Sequence, residues 1–490
     1  MHVPKVAKRA QSGHRSGKVF VLATALASLA ACAPDLGQAP EPGSPGAYTT
    51  TSTFAAPERA WPGDEWWGAY HDQELDTLIQ TALAAAPDMR IAQARLGQAQ
   101  AAEQQSGAAL LPTLGVNAQG GPTEVTRNQG FPDQFKSFLP KGWHTNGEIA
   151  GDLAYEFDLF GKNRAALAAA TSDAQAAQVD VAEARLTLST SIAAAYADLL
   201  RLAADRTAAQ DAVRVRQQSA ALVHQRLSQQ LENAGVAAQA DAQIGAAQAD
   251  LDAINGSITK TRDAIAALLG QGPDAGLAVP VPTNPQLAPF GLPHDLAADL
   301  IGRRPDIVAA RLRAEAAADR IEVAHADYYP NIDLTASYGV QSFDIKDLFM
   351  ADSLMGHVGP AIHLPIFDGT IEGRYRAARA QYDEAVATYD KTLSLALQQA
   401  ADAIADERAL SSELSHSHQS LSAAEEAYRI AKLRYQGGLS RYLDVLTAED
   451  TLVLERQKVA DLEARSFAED VALVRALGGG FQDSTLRASR

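Results

Sequence analysis

The sequence predicts a mainly helical chain with a transmembrane β part, built as an internal two-fold repeat that supplies four strands and long helical hairpins. Three observations predict it. First, the 22 prolines among the 490 residues avoid Lys141 to Gly272 and Ile366 to Arg490. Those two stretches are rich in Ala, Gln, Leu and Asp, and read as very long helices. Second, Pro87-Asp88-Met89 and Pro305-Asp306-Ile307 each open an Ala/Arg-rich helical tract that closes at a second proline 25 residues on, Pro112 or Pro330. Self-similarity at a fixed offset, here 218 residues, marks a duplicated unit. Third, after each second proline the apolar spacing changes from the helical period to strict alternation.

The chain opens with an address. Lys5, Lys8, Arg9, Arg15 and Lys18 precede an apolar run of twelve residues, Val19 to Ala30. A basic start, a short apolar stretch and small residues before a cut describe a signal peptide over 1–31, too short to span a bilayer permanently. Leu29-Ala30-Ala31-Cys32 matches the lipobox of bacterial lipoproteins, in which the cysteine is acylated and becomes the first mature residue. Ala33 after it, in place of Asp, is the pattern sorted to the outer membrane. Cys32 is the one cysteine, which excludes a disulfide framework and a Cys-based zinc site. Residues 32–63 carry Pro34, Pro40, Pro42, Pro45, Pro57 and Pro62 and read as an extended, lipidated tether. The net charge is −17, and near −22 once the leader's five basic residues are removed, which argues against a nucleic-acid partner.

Repeat 1, residues 64–272, brings a helix and then two candidate strands, near 112–121 and 147–159. In the first, Leu114, Val116 and Ala118 alternate with Thr113, Asn117 and Gln119. In the second, Ile149, Leu153, Tyr155, Phe157 and Leu159 oppose Glu148, Asp152, Glu156 and Asp158. Repeat 2, residues 294–480, does the same near 330–341 and 357–367. There Ile332, Leu334, Ala336, Tyr338 and Val340 oppose Asn331, Asp333, Thr335 and Ser337, and Val358, Ile362, Leu364 and Ile366 oppose His357 and His363. About ten two-faced residues is the length of a tilted membrane strand. A soluble sheet with one wet face would suit a single such strand, but four in symmetric positions behind a secretory leader favour a membrane barrel. Glu148, Asp152 and Glu156 are then candidates to face the lumen.

From Gly161-Lys162 and Gly369-Thr370 the helical tracts run about 70 residues, roughly 105 Å at ~1.5 Å per residue, which implies a coiled coil or an α-helical tube. They break at Gly235 and at Gly437-Gly438, then resume and end at Gly270 and Gly478. Small residues such as Ala165 to Ala170 let helix axes approach, and Leu186, Leu188, Ile192, Tyr196, Leu199 and Leu202 recur as a packed face does. Gly235-Val236-Ala237 and Gly438-Leu439-Ser440 are the expected hairpin tips, with Gly supplying the left-handed turn. Residues 273–293 form a Pro-rich linker between the repeats, and 481–490 a flexible tail.

Four strands cannot close a barrel, and lipid leaves no backbone group unpaired, so copies must share one. Two copies would give eight strands, a barrel filled by its own side chains; three give twelve and a lumen. The arithmetic supports three or more. No catalytic arrangement is present. His416 and His418 are two apart on a helix and point different ways. His357 and His363 lie six apart on a strand, roughly 20 Å. Gly478-Gly479-Gly480 ends a helix where a phosphate loop would open one. No enzyme activity, metal or cofactor is expected.

The order strand–strand–helical hairpin, repeated, resembles the TolC-like outer-membrane factors, in particular their lipidated OprM/NodT-like branch serving RND-type efflux pumps. The resemblance covers nearly the whole mature chain. It rests on the lipobox, on Trp66-Trp67, on Ala154-Tyr155-Glu156-Phe157-Asp158-Leu159-Phe160-Gly161-Lys162, and on Leu433-Arg434-Tyr435-Gln436-Gly437-Gly438-Leu439-Ser440-Arg441-Tyr442-Leu443-Asp444-Val445-Leu446. It implies a homotrimer with a twelve-stranded barrel in outer-membrane lipid and an α-barrel across the periplasm. It also implies a passive exit duct for drugs or other small molecules, with a periplasmic adaptor protein and an inner-membrane RND transporter as partners. The tips Gly235, Val236, Ala237, Gly438, Leu439 and Ser440 would dock the adaptor. Leu443 matches an apolar ring and Asp444 an acidic ring at the family's periplasmic gate. Thr447 stands where the family commonly has a second Asp, with Asp450 one turn further. The competing readings are a duct for type I protein secretion and, in a different class, a lipid-anchored periplasmic coiled-coil spacer without a pore.

Overall fold

The duplication is visible element by element. The computed structural model describes residues 33–44, 47–48, 54, 61–124, 126, 132, 134, 141–282 and 303–482; the leader 1–31, Cys32, most of the tail and the later part of the linker lie outside the described residues. After a 3-10 turn at Trp66–Tyr70, the first repeat holds α1 (Gln73–Ala85), α2 (Pro87–Ala108), β1 (Thr113–Glu124), β2 (Trp143–Glu156), α3 (Lys162–Ser228) and α4 (Ala234–Leu268), and the linker after it α5 (Pro273–Ala278). The second holds α6 (Pro305–Ala326), β3 (Asn331–Ser342), β4 (Leu354–His363), α7 (Gly369–Gln436) and α8 (Tyr442–Ala476). Paired helices match closely in length: α2 and α6 both have 22 residues, α3 and α7 have 67 and 68, and α4 and α8 both have 35.

One expectation is corrected. β2 and β4 end before Phe157–Leu159 and Leu364–Ile366 because aspartates recruit those segments to the helix starts. Asp158 accepts the N–H groups of Asn163 (3.1 Å) and Arg164 (3.0 Å) at the head of α3, and Asp368 accepts that of Thr370 (2.9 Å) at the head of α7. Pro365 also lacks the donor a further ladder bond would need. The linker opens as the helix α5, with Pro273 at its first turn, where a missing N–H costs nothing.

The chain divides into two compact units. One contains 33–41, Gln98–Gln175 and Leu312–Ala387. Its centre is an antiparallel sheet in the order β1-β2-β3-β4, so β1 and β4 are its edges. The register aligns like with like across all four strands. One row reads Leu114, Leu153, Ala336, Val358 and the next reads Gly115, Asp152, Ser337, His357. The N-terminal segment runs beside α7 without regular structure. Arg379 donates to the carbonyl oxygens of Gly37 (3.2 Å) and Gln38 (2.6 Å), and Tyr382 to that of Pro40 (3.0 Å).

The other unit contains the described parts of Pro42–Gly97, Ala176–Arg311 and Thr388–Arg490. Trp66 and Trp67, edge to face at 5.7 Å, are buried with Ile79, Ile192, Leu199, Ile265 and Val474. Tyr70 packs edge-on to Phe467 at 4.9 Å and donates its hydroxyl to Asp470 at 2.6 Å. Asp72 caps α1 through the N–H groups of Glu74 and Leu75 while accepting the Tyr196 hydroxyl (2.8 Å), which ties that cap to α3. A second cluster joins Ile307, Tyr389, Leu393 and Leu477. Alanines recur through both clusters, the composition that lets helix backbones approach closely. Among the described residues no helix is long and apolar enough to cross a membrane.

Candidate functional site

The hairpin ends lie in the second unit. α3 leaves its last turn at Ser228 and reverses through Gln230, which takes the left-handed conformation at φ 62°. Asn233 then caps α4, its side chain accepting the Val236 N–H at 3.1 Å. Gly235, Val236 and Ala237 are therefore the first turn of α4, not the reversal. Asn233 rather than Gly235 is the signal that breaks the helix, because its side chain offers the backbone a competing partner. The second reversal follows the expectation: Gly438 has φ 71°, and Leu439 and Ser440 lead to α8. Leu439 is exposed, whereas Ala237 is buried within its own chain.

The two ends pack against each other. Ala220 and Val223 of α3, Ala237 and Ala240 of α4, Tyr435 of α7, and Tyr442, Val445 and Leu446 of α8 form one apolar cluster. Tyr435 is clamped there. Its hydroxyl donates to Glu232 (3.0 Å), the Arg226 guanidinium lies over its ring at 4.6 Å, and Arg226 also donates to its carbonyl at 2.9 Å. Burial and the Glu232 carboxylate push the Tyr435 hydroxyl up to about 12. About two turns along α8, Glu449 is fully buried and faces Arg216 of α3 at 3.0 Å. Ser219 donates to its other oxygen, and Arg216 also binds Asp450. Burial raises the Glu449 pKa, opposed by Ser219 and Arg216.

With Tyr442, Val445, Leu446 and Glu449 turned inward, α8 presents Leu443, Asp444 and Thr447 on its outer side. Leu443 is 60% exposed, so within one chain it is not helix-packing core. Asp444 has a structural task as well, since its carboxylate accepts the Arg441 N–H at 3.2 Å at the start of α8. Thr447 donates back to the Leu443 carbonyl (2.9 Å). Asp450 is held by Arg216, so it is not a free charge.

In the first unit the sheet is two-faced as expected. Leu114, Val116, Tyr338, Leu354, Val358 and Ile362 are exposed on one side. On the other, Asn117 donates to Asp152 (2.7 Å) and Gln119 to Glu148 (2.7 Å). Glu156 stands opposite Asp333 at the helical end of the same face. His416 is exposed and His418 lies 3.5 Å from Glu463. The Tyr435 clamp and the Arg216–Glu449 pair were not visible in the sequence. Their partners are some 200 residues apart, and only the duplicated hairpin plan could have suggested that the tips meet.

A four-stranded sheet with one apolar and one polar face, joined to paired helical hairpins, defines the protomer of an outer-membrane channel. The model of the outer membrane efflux protein family matches residues 78–271 and 296–479. The chain belongs to that family. The fusaric acid resistance protein FusA of Burkholderia cepacia is 34% identical over 330 residues, 65% of this chain and 60% of FusA. The multidrug resistance outer membrane protein MdtP of Escherichia coli K12 is 29% identical over 440 residues, 86% of this chain and 87% of MdtP. Among solved structures, the outer membrane protein VceC of Vibrio cholerae superposes with a TM-score of 0.78 at 40% identity, covering 86% of this chain and all of VceC.

Proposed function

We propose that the protein is the exit duct of a tripartite RND-type efflux pump, passing small toxic molecules through a homotrimer anchored by acylated Cys32. The observation that carries this reading is the open sheet. Among the described residues the outer edges of β1 and β4 pair with no further strand, and the sheet's apolar face is exposed. Lipid tolerates no open edge, so the edges pair between copies. Three copies supply twelve strands, with Glu148, Asp152 and Glu156 toward the lumen. The relatives' names, fusaric acid resistance and multidrug resistance, support small molecules rather than proteins as cargo. Transport draws its energy from an inner-membrane partner, reached through a periplasmic adaptor that docks at Gly235, Val236, Gly438, Leu439 and Ser440; Ala237 lies behind them and supports the surface.

The gate is Leu443, with Asp444 and Thr447 beside it. An exposed leucine on the outer side of α8 makes a constriction when three copies meet, and an apolar constriction closes by excluding water. Leu443→Ser should raise the resting conductance of the purified trimer in planar bilayers and sensitise cells to large antibiotics, with trimer bands intact. Wild-type conductance together with a lowered melting temperature would place Leu443 in a static helix contact and overturn the gate. A protein that forms no channel at all would instead support the spacer reading.

A further inference from the structure

The β3–β4 connection is unusually apolar for a loop at the end of the sheet opposite the helices. Phe343, Ile345, Phe349 and Met350 are all exposed, Phe349 at 80%. Yet the segment is ordered by its own bonds. Two 3-10 turns, Ile345–Asp347 and Ala351–Ser353, are tied by Met350 N–H to the Asp347 carbonyl (3.0 Å), Ser353 N–H to the Met350 carbonyl (3.0 Å) and Ser353 Oγ to the Asp347 carbonyl (2.7 Å).

Its position is set by Leu348, which is buried against Gly147 of β2. A Cβ at 147 would stand 3.2 Å from a Leu348 methyl and 3.6 Å from Ile345, so the loop lies in close contact with the strand here. Position 147 shares its face with Ile149, Leu153 and Tyr155, the apolar face. The loop thus folds back over the apolar side of its own sheet. Trp143, 70% exposed, stands on that face at the same end of β2.

We propose that this loop is an amphipathic foot embedded in the outer leaflet of the membrane, at the boundary of headgroups and acyl chains. The inference rests on the barrel reading above and adds a surface to it. Three features select lipid over a second copy of the chain. The loop covers β2, an interior strand, whereas copies meet at the β1 and β4 edges. Its anchor Leu348 sits over Gly147, on the face of the sheet that carries the exposed Val358 and Tyr338. Its internal backbone bonds suit a medium poor in water, and the Asp344–Lys346 ion pair (2.9 Å) supplies the polar groups that a headgroup layer accepts. Trp143 adds the interfacial aromatic such belts use.

The test is nitroxide labelling at Phe349→Cys in a Cys32→Ser background, which removes the other thiol, in trimers reconstituted into phospholipid vesicles. Val358→Cys gives a lipid reference and Asp252→Cys, on α4, a water reference. The ratio of relaxation by oxygen to relaxation by a water-soluble nickel chelate should be several-fold higher at 349 than at 252, approaching that at 358. A ratio at 349 equal to the water reference would show a loop standing in solvent or over the channel mouth, and would overturn the proposal. Low accessibility to both reagents would show a protein partner and overturn it equally. If Val358 itself reads as water, the barrel reading fails instead.

Discussion

Replacing Arg216 by Met isolates the buried ion pair. Methionine keeps most of the aliphatic stem and removes the charge, leaving Glu449, 0% exposed, with only the Ser219 hydroxyl. An unpaired buried carboxylate costs ~3–5 kcal/mol, unless it takes up a proton. Protonation sets a ceiling of about 1.4 kcal/mol for each pH unit above the ordinary 4.5. The loss is therefore limited to about 4 kcal/mol at pH ~7.5 and about 1.4 kcal/mol at pH ~5.5. The sign follows from the direction of the shift. A carboxyl whose folded pKa is raised favours the folded state most at low pH and loses that advantage as pH climbs through the folded value. Removing Arg216 raises that value further, so the variant's deficit grows with pH. Asp450 is 55% exposed and contributes little to the balance. Circular-dichroism melts of wild type and variant in detergent at the two pH values read the effect. Equal deficits at both, or none at the higher pH, would refute the reasoning. Arg216→Met combined with Glu449→Leu should recover most of the loss, because a well-packed apolar pair avoids desolvation altogether.

Leu153→Arg, in the middle of the apolar face, should lower trimer yield on semi-native gels by an amount equivalent to ~2–4 kcal/mol. Asp152→Arg on the opposite face should assemble and shift reversal potentials toward anions; equal tolerance at both positions would remove the membrane assignment. Gly438→Ala, where nothing lies within 4 Å and only the backbone resists, should lower the urea midpoint by the equivalent of ~1–2 kcal/mol. Gln230→Gly, at the other reversal, should leave the midpoint unchanged or raise it; a loss there would show that Gln230 makes a contact that matters more than its backbone strain.

The duplication, the four strands, their faces and the helix lengths were legible because each is a local periodicity. Leu114 and Asp152 declare their faces by alternation alone, and Gly270 and Gly478 mark where α4 and α8 stop. The first reversal was misplaced by the pull of Gly235. Glycine is the stronger textual mark, but Asn233 forms the cap and Gln230 bears the positive φ, and neither is rare enough to stand out. Asp444 reads as a gate charge while also capping its helix, a double use that spacing shows only once the start of α8 is known. The Arg216–Glu449 and Tyr435–Glu232 contacts were illegible for a different reason: each joins segments some 200 residues apart, helix to helix in the first and helix to reversal in the second, and one sequence carries no record of such pairings.

The two copies of the repeat also divide the labour at the tips. α4 and α8 have the same length, and each sends a pair of residues three apart into one apolar cluster, Ala237 and Ala240 from α4 and Tyr442 and Val445 from α8. Aligned on those buried pairs, Ala238 stands for Leu443, Gln239 for Asp444, Ala242 for Thr447 and Gly245 for Asp450; Ala249 stands for the exposed Leu454. On the inner side, Ala237 and Ala240 enter the same cluster as Tyr442, Val445 and Leu446. At these matched positions the bulk and charge stand on α8, while α4 keeps small or neutral residues. A small-residue surface such as that of α4 can be approached closely by another helix but cannot fill a gap near an axis. Leucine and aspartate at the α8 positions can, which is why the proposed gate is placed on the second hairpin. Ala238→Leu should therefore leave the resting conductance unchanged, whereas Leu443→Gly should raise it.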